Sequence, residues 1–142
     1  MCNPKLITTV SEIDMARPPR VTEAEWEVMK VLWESSPLGA NEVAGEVCQR
    51  MSWNPKTVKT LLGRLVKKGA LRYREEGNRY LYRAAYPRER YVEAESQSFV
   101  DRVFGGSATP AVVHFVGTME LSEADLQELR AIVDRKLKGE ER

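Results

Sequence analysis

The stretch Asn54-Pro55-Lys56-Thr57-Val58-Lys59-Thr60-Leu61-Leu62-Gly63-Arg64-Leu65-Val66-Lys67-Lys68-Gly69 decides how this chain folds. Asn54 is a good N-cap residue, and Pro55 suits the first helical turn, where its missing N–H costs nothing. Gly69 is the expected left-handed residue past the end, so the spacing predicts a helix that runs to Lys68. Val58, Leu61, Leu62, Leu65 and Val66 form its apolar stripe. The other face carries Lys56, Thr57, Lys59, Thr60, Gly63, Arg64 and Lys67, with no acidic residue.

Two helices are expected upstream. Thr22 and Glu25 stand at capping-box spacing, and Trp26, Met29, Val31, Leu32 and Trp33 follow as a broad apolar face. This helix is expected to end near Ser35-Ser36-Pro37, because proline disfavours helical geometry just before it. Val43, Ala44, Val47, Cys48 and Met51 recur at three- and four-residue spacing and predict a second helix over about 41–51. Downstream the period changes to two. Leu71 and Tyr73 alternate with Arg72 and Arg74. Beyond Gly77-Asn78, Tyr80 and Tyr82 alternate with Arg79, Leu81 and Arg83. A Gly-Asn pair between alternating runs is a hairpin signal. Three helices and a hairpin in this order give the layout of a winged helix-turn-helix, with the third helix as recognition helix and the hairpin as wing.

From Pro87 the pattern is helical again. A fourth helix is expected over about 88–104, broken by Gly105-Gly106-Ser107. A short apolar segment follows from Pro110 to about Met119, and a sixth helix opens at Ser122. The predicted fold is mainly α with a small β-hairpin: a tail over 1–20, a winged-helix DNA-binding domain over 21–85 and a helical dimerisation region over 86–139. A fragment ending at Ala84 is expected to fold alone. Phe99, Val103, Phe104, Val112, Val113, Phe115 and Val116, with the stripe Leu126, Leu129, Ile132 and Val133, exceed what these helices can hide by themselves. A symmetric dimer interface would bury the surplus.

Charge sharpens the reading. The 142 residues carry a net charge of +1. Yet residues 50–83 hold ten basic side chains against Glu75 and Glu76, and residues 85–142 have a net charge of −3. A concentrated basic patch on a neutral chain points to a nucleic-acid face. Thr57, Thr60 and Arg64 lie three and four apart and share one helix face. Arginine can bond a guanine edge in two places, and threonine can donate to a base or touch a thymine methyl. Lys56, Lys59 and Lys67 flank them and would reach phosphates. Arg74, Asn78 and Arg79 would contact DNA from the wing. Its tyrosines are expected to pack in the core rather than stack on bases.

Other classes find little support. Cys2 and Cys48 make neither a disulfide framework nor a zinc site. His114 is the lone histidine and reads as packing or hydrogen bonding. No nucleophile elbow, phosphate-binding loop, dinucleotide fingerprint or zinc-protease motif occurs, so an enzyme is not expected. No metal, cofactor or small-molecule substrate is expected either. No apolar run is long enough to span a bilayer and no secretory signal is evident, which predicts a cytoplasmic protein. The alternative function is a winged-helix protein-interaction module without DNA binding, since fold alone does not settle function.

Glu25-Trp26-Glu27-Val28-Met29, Trp33, and the run from Trp53 through Thr57-Val58-Lys59-Thr60-Leu61 to Arg64-Leu65-Val66-Lys67-Lys68-Gly69 resemble the BlaI/MecI/CopY family of bacterial repressors. The resemblance covers about residues 20–137. It implies a dimeric transcriptional repressor on a palindromic operator, and in the penicillinase-repressor branch a role in antibiotic resistance. It also implies a membrane sensor-protease that responds to β-lactam and leads to cleavage in the fourth helix. The pair matching that branch's Asn-Phe cleavage site is Ser98-Phe99, which keeps the phenylalanine and replaces the asparagine. The cysteine-rich metal motif of the copper-responsive branch has no counterpart, because residues 85–142 contain no cysteine.

Overall fold

The computed structural model describes residues 17–139. The chain order is α1 (Glu23–Glu34), β1 (Leu38–Gly39), α2 (Ala40–Met51), α3 (Pro55–Lys67), β2 (Leu71–Glu76), β3 (Arg79–Ala84), α4 (Arg88–Val103), α5 (Ala108–Thr118) and α6 (Glu123–Leu137). It forms two compact units, one up to Ser96 and one from Gln97.

In the first unit the start and stop signals act as the sequence predicts. Thr22 Oγ1 accepts from the Glu25 amide at 3.1 Å, and Glu25 Oε1 accepts from the Thr22 amide at 2.9 Å, so α1 opens on a complete capping box. Asn54 Oδ1 accepts from the Lys56 amide at 2.7 Å, with Pro55 at the first turn of α3. Gly69 has φ +88°, which a side chain would strain, and closes α3. Val28, Met29, Val31 and Leu32 of α1, Val43, Ala44 and Val47 of α2, and Val58, Leu61, Leu62 and Leu65 of α3 are buried in one core. Each helix thereby covers the apolar stripes of the other two.

The sheet has three antiparallel strands in the order β1-β3-β2. The third strand, β1, goes beyond the two-stranded hairpin of the sequence reading. It is only two residues long and pairs Leu38 with Tyr82 and Gly39 with Leu81. Two residues cannot display a period, so the sequence holds no signal for it. Gly77, at φ +65°, is the first of the two residues linking β2 to β3, the place a type II′ turn gives to glycine.

Tyr91 belongs to the first unit's core. It is 2% exposed among Trp26, Trp33 and Tyr86, with ring centroids 6.4, 5.2 and 5.9 Å away. Trp33 Nε1 donates to the Tyr86 carbonyl at 3.2 Å and ties the chain after β3 back to α1. A fragment ending at Ala84 would lack this closure, which Tyr86 and Tyr91 supply.

The second unit holds the end of α4 with α5 and α6. Phe99 stacks on Phe115 at 6.0 Å, and Phe104 meets both rings edge-on at 5.9 and 6.2 Å. Ser122 and Asp125 form a second capping box at the start of α6. No residue of α6 is buried. The tail expected over 1–20 falls mostly outside the described residues, as does Cys2. Of its remainder, Arg20 lends its carbonyl to Lys68 Nζ at 3.0 Å.

Candidate nucleic-acid interface

The core stripe of α3 decides what its other face does. With Val58, Leu61, Leu62 and Leu65 buried, the helical period turns Lys56, Thr57, Lys59, Thr60, Arg64 and Lys67 outward, and all six are exposed. Thr57, Thr60 and Arg64 run down the middle. The Thr60 hydroxyl donates to the Lys56 carbonyl at 3.0 Å. Its proton is therefore committed to the helix, which leaves its oxygen as acceptor and its methyl for contact. Cys48 is a half-buried free thiol on α2.

Lys68 behaves differently from its neighbours. Its Nζ lies 2.7 Å from Oε1 of Glu25, which is 1% exposed. Burial pushes the Glu25 carboxyl up, but the Lys68 ammonium, the Thr22 amide and the Thr22 hydroxyl outweigh it and hold the group below its ordinary range. The pair joins the start of α1 to the end of α3 and so orients the cationic face. Sequence spacing reveals the capping role of Glu25 but not this partner, which lies 43 residues away.

The wing departs from expectation in two ways. Tyr82 packs against the core, but Tyr73 and Tyr80 do not: they are 47% and 43% exposed. Tyr73 stands level with Tyr82 but on the edge strand β2, and Tyr80 lies two residues further toward the turn on β3. There the two rings cover each other, with centroids 4.4 Å apart. Second, both wing arginines chosen for DNA already have carboxylate neighbours. Arg74 lies 3.7 Å from Glu76, and Arg79 lies 3.7 Å from Glu42 at the start of α2. Asn78 is exposed at the turn.

In the second unit, Val103, Val112, Val113, Val116, Leu126 and Val133 are exposed, while Phe99, Phe104, Phe115, Leu129 and Ile132 are half-buried. His114 is exposed, its ring 6.0 Å from Phe104 and 5.7 Å from Phe115. Ser98 and Phe99 are also half-buried, inside the regular helix α4. An open, accessible stretch at this pair is therefore not what the fold presents, because Phe99 is engaged by two rings and by the Arg102 guanidinium at 6.0 Å. Among the described residues no cluster of His, Cys, Asp and Glu could hold a metal ion, and no helix is long and apolar enough to cross a membrane.

Comparison with known proteins places this arrangement. The family model described as the penicillinase repressor matches residues 21–135. The chain belongs to the penicillinase repressor family. The penicillinase repressor of Bacillus licheniformis is 38% identical over 120 residues, which cover 84% of this chain and 94% of that protein. The methicillin resistance regulatory protein MecI of Staphylococcus aureus strain N315 is 31% identical over 116 residues, 82% of this chain and 94% of its own. Among solved structures, the DNA-binding domain of the repressor BlaI is 42% identical with a TM-score of 0.49, covering 54% of this chain and 94% of that one. The monomeric form of Bacillus licheniformis BlaI in complex with the blaP half-operator is 42% identical with a TM-score of 0.47, covering 51% and 89%. Like other penicillinase repressors, the chain is a winged-helix, DNA-binding transcriptional regulator.

Proposed function

We propose that this penicillinase repressor acts as a homodimer that lays one α3 into the major groove of each half of a palindromic operator. The observation that carries this is the exposed, acid-free face of α3. Thr57, Thr60 and Arg64 are its reading residues, and Lys56, Lys59 and Lys67 its phosphate contacts. Arg74, Asn78 and Arg79 serve the same site from the wing. The protein binds rather than catalyses, needs no cofactor and works in the cytoplasm, where its DNA is. The winged domain spans 21–85 and the dimerisation region 86–139, with the start of α4 completing the core of the first.

The dimer reading rests on α6. An amphipathic helix is stabilised mainly by covering its apolar stripe, yet no residue of α6 is buried. A second copy, packed on the exposed valines of α5 and the stripe of Leu126, Leu129, Ile132 and Val133, would supply the missing cover. Sedimentation at micromolar concentration tests it: a dimer is expected, and a monomer would overturn this part.

Release by a membrane sensor-protease would act between Ser98 and Phe99. A cut there separates the two half-site readers without touching either α3 and removes the gain from linkage. The helix has to open first, and Phe99 has to leave its ring cluster. In cells exposed to β-lactam, mass spectrometry should find fragments ending near Ser98. An intact chain during full derepression would rule this route out.

A further inference from the structure

A cleft of about 260 Å³ lies where the start of α2, the outer face of α3 and strand β3 meet. Asn41, Lys59, Arg79 and Tyr80 bring polar groups to it, and Gly39 and Tyr82 complete its wall. The lining contains two cations and no carboxylate. Glu42, next in sequence to Asn41, stands at the edge of the cleft: its Oε1 accepts from the Gly39 amide at 2.7 Å and lies 3.7 Å from the Arg79 guanidinium.

Gly39 lets the ends of two side chains come close to its backbone. Gly39 has φ −79° and ψ 166°, extended backbone that any residue can adopt. A Cβ at this position would stand 3.3 Å from Arg79 Nη1 and from Glu42 Oε1. The Arg79 guanidinium thus lies close over the backbone that opens α2, a helix start whose positive end favours anions.

We propose that this cleft seats one backbone phosphodiester of bound DNA, and that Glu42 occupies Arg79 until the phosphate arrives. The proposal rests on the DNA-binding reading and adds Asn41, Tyr80 and Glu42 to it. Lys59 belongs both to the cleft and to the α3 face, so a strand tracked by that face passes the cleft mouth. An amide, a phenol, an ammonium and a guanidinium together suit the oxygens of one phosphate. The Glu42–Arg79 pair is exposed and long, so little holds it against a closer anion. Glu42 then weakens binding to every sequence alike, because it competes for a backbone contact and repels the backbone as well.

The test is the salt dependence of binding to a mixed-sequence synthetic duplex, which reads phosphate contacts without requiring a known operator. It uses the full chain and the variants Arg79→Ala, Arg79→Lys and Glu42→Gln, each checked for folding by circular dichroism. Arg79→Ala should flatten the slope of log affinity against log salt by about 0.9 per protomer and weaken binding roughly five- to tenfold at low salt. Arg79→Lys, which keeps the charge, should restore most of the slope. Glu42→Gln keeps an oxygen for the Gly39 amide and should tighten binding several-fold. An unchanged slope in folded Arg79→Ala overturns the proposal together with the wing role of Arg79, and weaker binding by Glu42→Gln overturns the proposal alone; either leaves the reading of DNA by α3 intact. Failure of the parent to bind any duplex would instead remove that reading.

Discussion

Glu25 shows how one residue serves two levels of structure. Its position three after Thr22 makes it half of a capping box, and the fold then presses it against Lys68. Taking a carboxylate to 1% exposure is costly unless it is paired and hydrogen-bonded, and here both conditions are met. Because its folded pKa is lowered, the stability it contributes is fully present above its unfolded value and is lost as pH falls through the folded one. Urea melts taken from neutral pH into the acid range should show falling stability, and Glu25→Gln should flatten that fall while lowering stability at neutral pH. A variant whose acid profile matches the parent's would show that the pair does not matter. Tyr91 is the opposite case. Its hydroxyl is buried without a hydrogen-bond partner among the described residues, and burial raises its pKa strongly. The ring holds the position, through the aromatic packing around it.

Elements with strong local punctuation were legible in the sequence. Asn54-Pro55 and Gly69 bracket α3, Thr22 opens α1, and Gly77-Asn78 turns the wing, because each acts through bonds within a few residues. What was not legible depends on partners far along the chain. The two-residue β1 exists only because β3 offers it an edge. The exposure of Tyr73 and Tyr80 depends on which strand lies at the sheet edge and how near the turn each ring sits, which alternation cannot report. The Glu42–Arg79 and Glu25–Lys68 pairs join elements that only the tertiary fold brings together. The role of Tyr91 was likewise hidden, since an amphipathic helix pattern does not say which unit its first turns serve. Fragments test this. A chain ending at Ser96 should fold cooperatively, whereas one ending at Ala84 should lose on the order of 3–5 kcal/mol, the usual cost of removing a buried aromatic. Equal stability of the two fragments would mean that Tyr86 and Tyr91 add nothing to the core.

At the scale of the whole molecule, the two halves divide the work by charge and by polarity. The first unit carries the basic stretch over 50–83, and the second carries apolar side chains left uncovered on α5 and α6. In the proposed dimer, reading and pairing would cooperate, because two linked readers gain an effective concentration that neither has alone. A two-fold dimer reads a two-fold site, with half-sites spaced by about one helical turn, roughly 10 base pairs, or a multiple of it. On the proposed reading, the outer face of α3 reads this site, with Arg64 contacting one base in each half. This reading is tested most directly by selecting duplexes from a randomised library with the full chain and, in parallel, with Arg64→Ala. The full chain is expected to enrich a palindrome. Arg64→Ala is expected to enrich the same palindrome with one position relaxed in each half, at a cost of about 1–3 kcal/mol. No enrichment by the full chain, an asymmetric site, or an identical consensus from Arg64→Ala would contradict it.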